Sequence, residues 1–145
     1  MPIKTFLSVP RVSRFGDIAF LTARFVAGLG LMLHGGSKIQ NPFAWMGENA
    51  FAPGIFQALA ALSEFGGGAA LMLGLLTPLA SLGIGATMCV AIYSHAVMRG
   101  DPFVAKGGAP SFELAAVYLV LSLVFLALGP GKLSLDRAIF GLRAR

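Results

Sequence analysis

The chain has little charge, few histidines and almost no thiol. Charged residues make up 12% of its 145 positions and hydrophobic ones 57%, and the mean hydropathy is +0.81. A soluble domain carries about a quarter of its residues as charges, so this composition excludes an ordinary soluble fold. The single cysteine, Cys89, forbids an internal disulfide and any Cys-x-x-Cys redox pair. Within an apolar run it reads as a small packing residue. Acids are scarcer than bases, six against eleven, for a net charge of +5. The bases lie at the two ends and in short turns, with no basic stripe carrying interleaved aromatics. That argues against nucleic acid and for topology determinants and lipid-headgroup contacts. No removable signal peptide is expected: the first apolar run is too long and polar for an h-region, and no small-residue cleavage site clearly follows it.

What is present is a set of four apolar runs, near residues 18–36, 55–76, 78–98 and 112–128. Each is about 20 residues long, which matches a hydrocarbon core of about 30 Å. The expected fold is all-α, an integral membrane four-helix bundle over residues 18–131. A tail over residues 1–17 precedes it. An amphipathic tail over residues 132–145 follows, with Leu133, Leu135, Ile139 and Leu142 set among Lys132, Arg137, Arg143 and Arg145. An even number of spans puts both termini on one side. The tails carry more lysine and arginine than the opposite loops with Lys38, Arg99 and Lys106, which places the termini in the cytoplasm. Asp17 is positioned to cap the first span. Pro78 suits the first turn of the third. Gly66, Ala70 and Gly74 form a small-residue face in the second span, and Gly83, Gly85 and Thr87 one in the third.

The first span is the least ordinary. It is long and apolar, yet it carries Arg24, His34 and Lys38. At about 100° per residue, His34 falls roughly −80° from Arg24 and Lys38 falls between them, so one wedge of the helix is polar. A hydrocarbon environment penalises such groups unless partners or water are near. Glu64 lies about 14 Å along the second span at 1.5 Å per residue, and an Arg24–Glu64 pair is the expected remedy. That pair either locks the fold or lines a pocket that binds or protonates a ligand. His34 and His95, on separate helices at similar depth, leave several chemistries open. They are axial haem ligands, a metal site with Glu113, proton donors to a quinone, or interfacial residues bonded to backbone. No metal site is assigned. Glu113 also suits the positive end of the fourth helix, and Lys38 suits a snorkelling position. Tyr93, Tyr118, Thr87 and Ser122 are lesser candidates for hydrogen bonding inside the bundle. Most of these groups are expected to face one shared polar pocket in the outer half.

These residues together resemble the DoxX family of small four-span membrane proteins. The resemblance rests on Arg24 and then His34-Gly35-Gly36-Ser37-Lys38; on Glu64-Phe65-Gly66-Gly67 leading to Gly74-Leu75-Leu76-Thr77-Pro78-Leu79-Ala80; on His95; and on Gly129-Pro130-Gly131-Lys132-Leu133-Ser134-Leu135-Asp136. It covers about residues 18–140. It implies a bacterial inner-membrane, redox-associated protein, related to the small subunit of a thiosulfate:quinone oxidoreductase. On that reading His95, Glu64 and His34 are the proton-moving catalytic groups, and Arg24, Lys38 and Glu113 bind substrate. Quinone is the expected cofactor, ahead of haem. The expected partners are the bilayer, a small reductant, and a redox subunit or a second copy of the chain. A small-solute or proton transporter and a non-catalytic assembly subunit are the alternatives.

Overall fold

The computed structural model describes residue 9 and residues 13–141. The tail positions Lys4, Arg11, Leu142, Arg143 and Arg145 lie outside the described residues. The fold is all-α: α1 Arg14–Lys38, α2 Gly54–Leu73, α3 Thr77–Tyr93, α4 Glu113–Leu128 and α5 Leu135–Phe140. Helix α3 runs on into one widened turn, Ser94–Met98, closed by an i to i+5 bond from the Arg99 amide to the Ser94 carbonyl at 3.1 Å. Helices α1, α2 and α3 with its widened turn are long and apolar enough to cross a bilayer. Helix α4 has 16 residues, about 24 Å of rise, and completes the four-helix membrane bundle. Large apolar side chains such as Phe25, Leu33, Phe56, Leu62 and Val90 point outward, where lipid is the solvent. Cys89 is also exposed, on α3, and so is not the packing residue expected of it.

The helices run antiparallel in sequence order, and the glycines set how closely each pair approaches. A Cβ on Gly28 of α1 would lie 2.5 Å from the Gly68 carbonyl oxygen of α2, and one on Gly35 would lie 2.6 Å from the Phe65 amide nitrogen. The α1–α2 seam therefore uses Gly28, Gly35 and Gly68, where backbone meets backbone. The expected Gly66, Ala70, Gly74 face is not that seam. Gly66 meets only Leu62 of its own helix, and Gly74 ends α2 with φ 63°, a left-handed cap that glycine adopts without strain. In α3 the two glycines serve different neighbours: Gly83 faces Ser63 of α2 and Gly85 faces Ser122 of α4. The Thr87 hydroxyl returns to the Gly83 carbonyl of its own helix at 3.0 Å. The α1–α4 seam is closed by aromatic side chains, with Phe20 and Phe125 ring centroids 6.2 Å apart. Ala27, Leu31, Leu71, Ile84, Met88 and Phe125 form the apolar core between these seams.

This arrangement has two ends. At the tail end, the start of α1, the α2–α3 turn and residues 129–136 meet. Ser13, not Asp17, caps α1, its hydroxyl accepting from the Gly16 amide at 3.0 Å. Asp17 reaches across instead: it accepts from the Lys132 amide at 2.7 Å and pairs with the Lys132 ammonium at 3.3 Å. Asp136 is fully buried and accepts from the Leu76 and Thr77 amides at 2.6 and 2.8 Å. It thereby satisfies the first free amides of α3, the service a cap residue normally renders its own helix. At the loop end, residues 39–53 close over α1 and α2, and residues 99–112 link α3 to α4.

Candidate functional site

Helix α1 carries Arg24 to the tail end, and its backbone register with α2 decides its partner. Gly35 lies beside Glu64 and Gly28 beside Gly68, so Arg24 falls level with Leu71 and Met72. Eleven residues separate Arg24 from Gly35, roughly 16 Å along the axis. The expected Arg24–Glu64 pair is thus not formed. Arg24 is 0% exposed, and its guanidinium donates to the Leu71 and Met72 carbonyls at 3.3 Å each and to the Leu133 carbonyl. The nearby Asp136 carboxylate supplies negative charge. Met72 lies in the last turn of α2, where carbonyls lack intrahelical partners, and Leu71 accepts from the Gly74 amide at 3.1 Å as well as from Arg24.

Glu64 takes Lys38 instead. The ammonium lies 2.6 Å from both carboxylate oxygens, and the Lys38 stem folds back from the end of α1 to reach them. Trp45 stacks over that ammonium, 4.6 Å from its ring centroid. The Trp45 indole donates to the Gln57 carbonyl at 2.9 Å. The buried Gln57 side chain accepts from the Met46 amide at 3.0 Å and donates to the Ala52 carbonyl at 2.9 Å. The loop-end segment is therefore folded down on the Lys38–Glu64 pair by one glutamine. Nothing in the sequence marks Trp45 for its place over a lysine.

His34 is exposed on α1 and meets Tyr118 of α4 edge to face, with centroids 6.5 Å apart and planes at 79°. Gly30, one turn below His34, makes the room: a Cβ there would fall 2.1 Å from the Tyr118 hydroxyl. Gly35, the residue after His34, lies against Glu64, where an added Cβ would fall 3.0 Å from the Glu64 Cβ, so Tyr118, His34 and the Lys38–Glu64 pair occupy one layer of the bundle. Among the described residues, neither the His34 ring nitrogens nor the Tyr118 hydroxyl has a hydrogen-bond partner.

The remaining expected residues stand apart. His95, in the widened turn, places Nδ1 2.7 Å from Asp101, whose amide donates back to the His95 carbonyl at 2.9 Å. Arg99 approaches the same carboxylate at 3.7 Å. His34 and His95 thus each have a partner of their own rather than one another. Glu113 is exposed at the first turn of α4 and makes no hydrogen bond or ion pair among the described residues. The shared pocket expected from the sequence is replaced by three separate groups: Arg24 with Asp136, Lys38 with Glu64, and His95 with Asp101. Reasoning from the sequence also missed Asp101 and Asp136. Each reads as a turn or tail residue, and its burial depends on contacts far along the chain.

The family model described as DoxX matches residues 19–97, just over half of the chain, and spans Arg24, His34, Lys38, Glu64 and His95. The chain belongs to the DoxX family. This DoxX protein is also 32% identical over 127 residues to an uncharacterised protein of Haemophilus influenzae strain Rd, covering 85% of this chain and 90% of the relative. No solved structure matches it. Tyr118 and Asp136 lie beyond the matched residues, so within the family match the DoxX protein supplies only the α1, α2 and α3 side of each group.

Proposed function

We propose that this DoxX protein is a redox-associated membrane subunit that holds a quinone headgroup at the α1–α4 seam. The observation that carries the reading is the His34–Tyr118 contact. An imidazole and a phenol lie within membrane-spanning helices, both unpartnered among the described residues, and polar groups in hydrocarbon are costly unless satisfied. A flat ring bearing two carbonyl oxygens fits that donor set. The Tyr118 hydroxyl donates to one oxygen and the His34 ring orients against the headgroup. Lys38 and Glu64, in the same layer, supply a nearby positive charge and a proton acceptor. A quinone, when bound, supplies two-electron, two-proton chemistry; the chain itself contributes position and protons. The apolar groove of about 280 Å³ lined by Phe103, Ala116, Val117, Val120 and Leu121 adds lipid-like surface on α4.

The test uses the full chain in lipid nanodiscs. Trp45 is the only tryptophan and stands beside Lys38. Saturable quenching of its fluorescence by a short-chain quinone is expected, with weaker binding in His34→Phe and Tyr118→Phe. Quinone reduction by thiosulfate or a thiol, with and without membrane partners, then assigns turnover. No quenching and no turnover in either setting would sink the proposal.

A second reading has an observation of its own. Each buried carboxylate is already matched, Glu64 by Lys38, Asp17 by Lys132 and Asp136 by two amides. A non-catalytic assembly subunit needs no more than this. On that reading Glu64→Gln lowers stability but leaves the activity of the surrounding complex unchanged once expression is matched.

The termini are assigned to the cytoplasm of a bacterial inner membrane. The tail end carries Arg14 and Arg137, neither in an ion pair among the described residues, whereas Lys38 and Arg99 at the loop end lie against Glu64 and Asp101. Unbalanced lysine and arginine retain the loops that carry them.

A further inference from the structure

The bundle has a second polar region that the proposed quinone site does not use. Among the described residues, three buried side-chain polar atoms have no hydrogen-bond partner: Arg24 Nε, Thr77 Oγ1 and Ser81 Oγ. Arg24 and Thr77 are 0% exposed and Ser81 2%. All three belong to the tail half of the bundle. Thr77 and Ser81 are one turn apart on the face of α3 that continues through the buried Ile84 and Met88. Arg24 starts the buried face of α1 that continues through Ala27 and Leu31. Those faces converge on the one apolar core. Asp136 ties them together, since it bonds the Thr77 amide at 2.8 Å and acts on the Arg24 charge.

Two other hydroxyls inside the bundle return to their own backbone, Thr87 to Gly83 and Ser122 to Leu119. Thr77 and Ser81 do not. Buried polar atoms are nearly always satisfied, and three orphans in the same half of a folded interior call for a bound partner. Hydrogen-bond chemistry and space decide its class. Arg24 Nε can only donate, whereas each hydroxyl can donate and accept, and all three residues are at most 2% exposed. The partner is therefore small and able both to donate and to accept.

We propose that one or two ordered waters occupy the tail half of the bundle, accepting from Arg24 Nε and bridging to the Thr77 and Ser81 hydroxyls. Three polar atoms lie within the two to four partners such a water needs. The hydrated interior that the sequence led one to expect near the loop end then lies at the opposite end, beneath the α2–α3 turn.

Thermal melts of the full chain in detergent test this with Thr77→Val, Ser81→Ala and the double variant. If the hydroxyls hold shared water, each single change lowers Tm by about 3–5 °C, and the double change lowers it by less than the sum. If they are unused, removing an orphan hydroxyl leaves Tm unchanged or raises it, and that result overturns the proposal. A strictly additive double variant overturns the shared site as well. Should Thr77→Val fail to fold, Ser81→Ala decides alone: a fall in Tm supports the water, and no change or a rise removes it.

Discussion

Lys38 closes on both oxygens of Glu64 at 2.6 Å, while Arg24, the stronger base on the same helix, bonds to backbone carbonyls. The choice is geometric. Lys38 stands near the level of Glu64, and its long stem covers the difference, whereas Arg24 lies at the far end of the seam. Removing one partner of such a pair leaves the other charge desolvated. Glu64→Gln and Lys38→Met are each expected to destabilise by roughly 2 kcal/mol, below the usual loss for a fully buried pair because Lys38 keeps 23% of its side-chain surface exposed. The double variant is expected to recover part of the loss. Denaturation of all four proteins in one detergent measures the coupling.

His34→Phe and Tyr118→Phe probe the α1–α4 seam without emptying it. Each keeps a ring and loses a polar atom. For short-chain quinone binding, a loss of about tenfold in affinity per variant is expected, about 1.4 kcal/mol. Glu113→Gln is expected to change nothing, because Glu113 has no partner among the described residues. Equal quinone affinity across all three would remove His34 and Tyr118 from the site.

Two glycine substitutions separate packing from propensity. Gly28→Ala drives a methyl into the Gly68 carbonyl and is expected to cost roughly 3 kcal/mol or more. Gly36→Ala meets nothing within 4 Å and sits in the same helix. It is expected to be neutral, or to stabilise by up to about 1 kcal/mol through helix propensity. Comparing folded yield and melting of the two variants checks both signs.

Asp136→Ala removes the acceptor for the Leu76 and Thr77 amides and the negative charge beside Arg24. Loss of a cap alone costs about 1–2 kcal/mol. Asp136→Asn keeps an acceptor and is expected to lose less. A greater loss in Asn than in Ala would show that Asp136 is not acting as a cap.

Orientation has its own check. A cysteine at Lys106, in a Cys89→Ser background, is expected to react with an impermeant thiol reagent in intact cells. One at Arg137 is expected to react only after permeabilisation. The reverse pattern would invert the assigned topology.

Much of this architecture was legible in the sequence because apolar runs, turns and glycines are local signals. The four helices, the proline at the start of α3 and the stop at Gly129 follow from such signals. The pairing of charges was not legible. A shift of a few residues in register moves a side chain by a full turn, and the α1–α2 register is fixed by Gly28, Gly35 and Gly68 rather than by the more conspicuous Gly66 to Gly74 run. Asp17 and Asp136 were hidden for a related reason: their partners lie 115 and about 60 residues away in sequence. Tyr118 ranks in the sequence only as a lesser hydrogen-bonding candidate, because its place depends on Gly30 and His34 of another helix.

The cap that Asp136 provides for α3 bears on how the protein is made. Helix α3 begins some sixty residues before the carboxylate that finishes it, and the Arg24 guanidinium waits still longer for the Leu133 carbonyl. During synthesis the first three helices enter the bilayer with one rim unfinished. The rim closes only when residues 131–136 leave the ribosome and fold back, so that short stretch is the keystone of biogenesis as well as of the mature bundle.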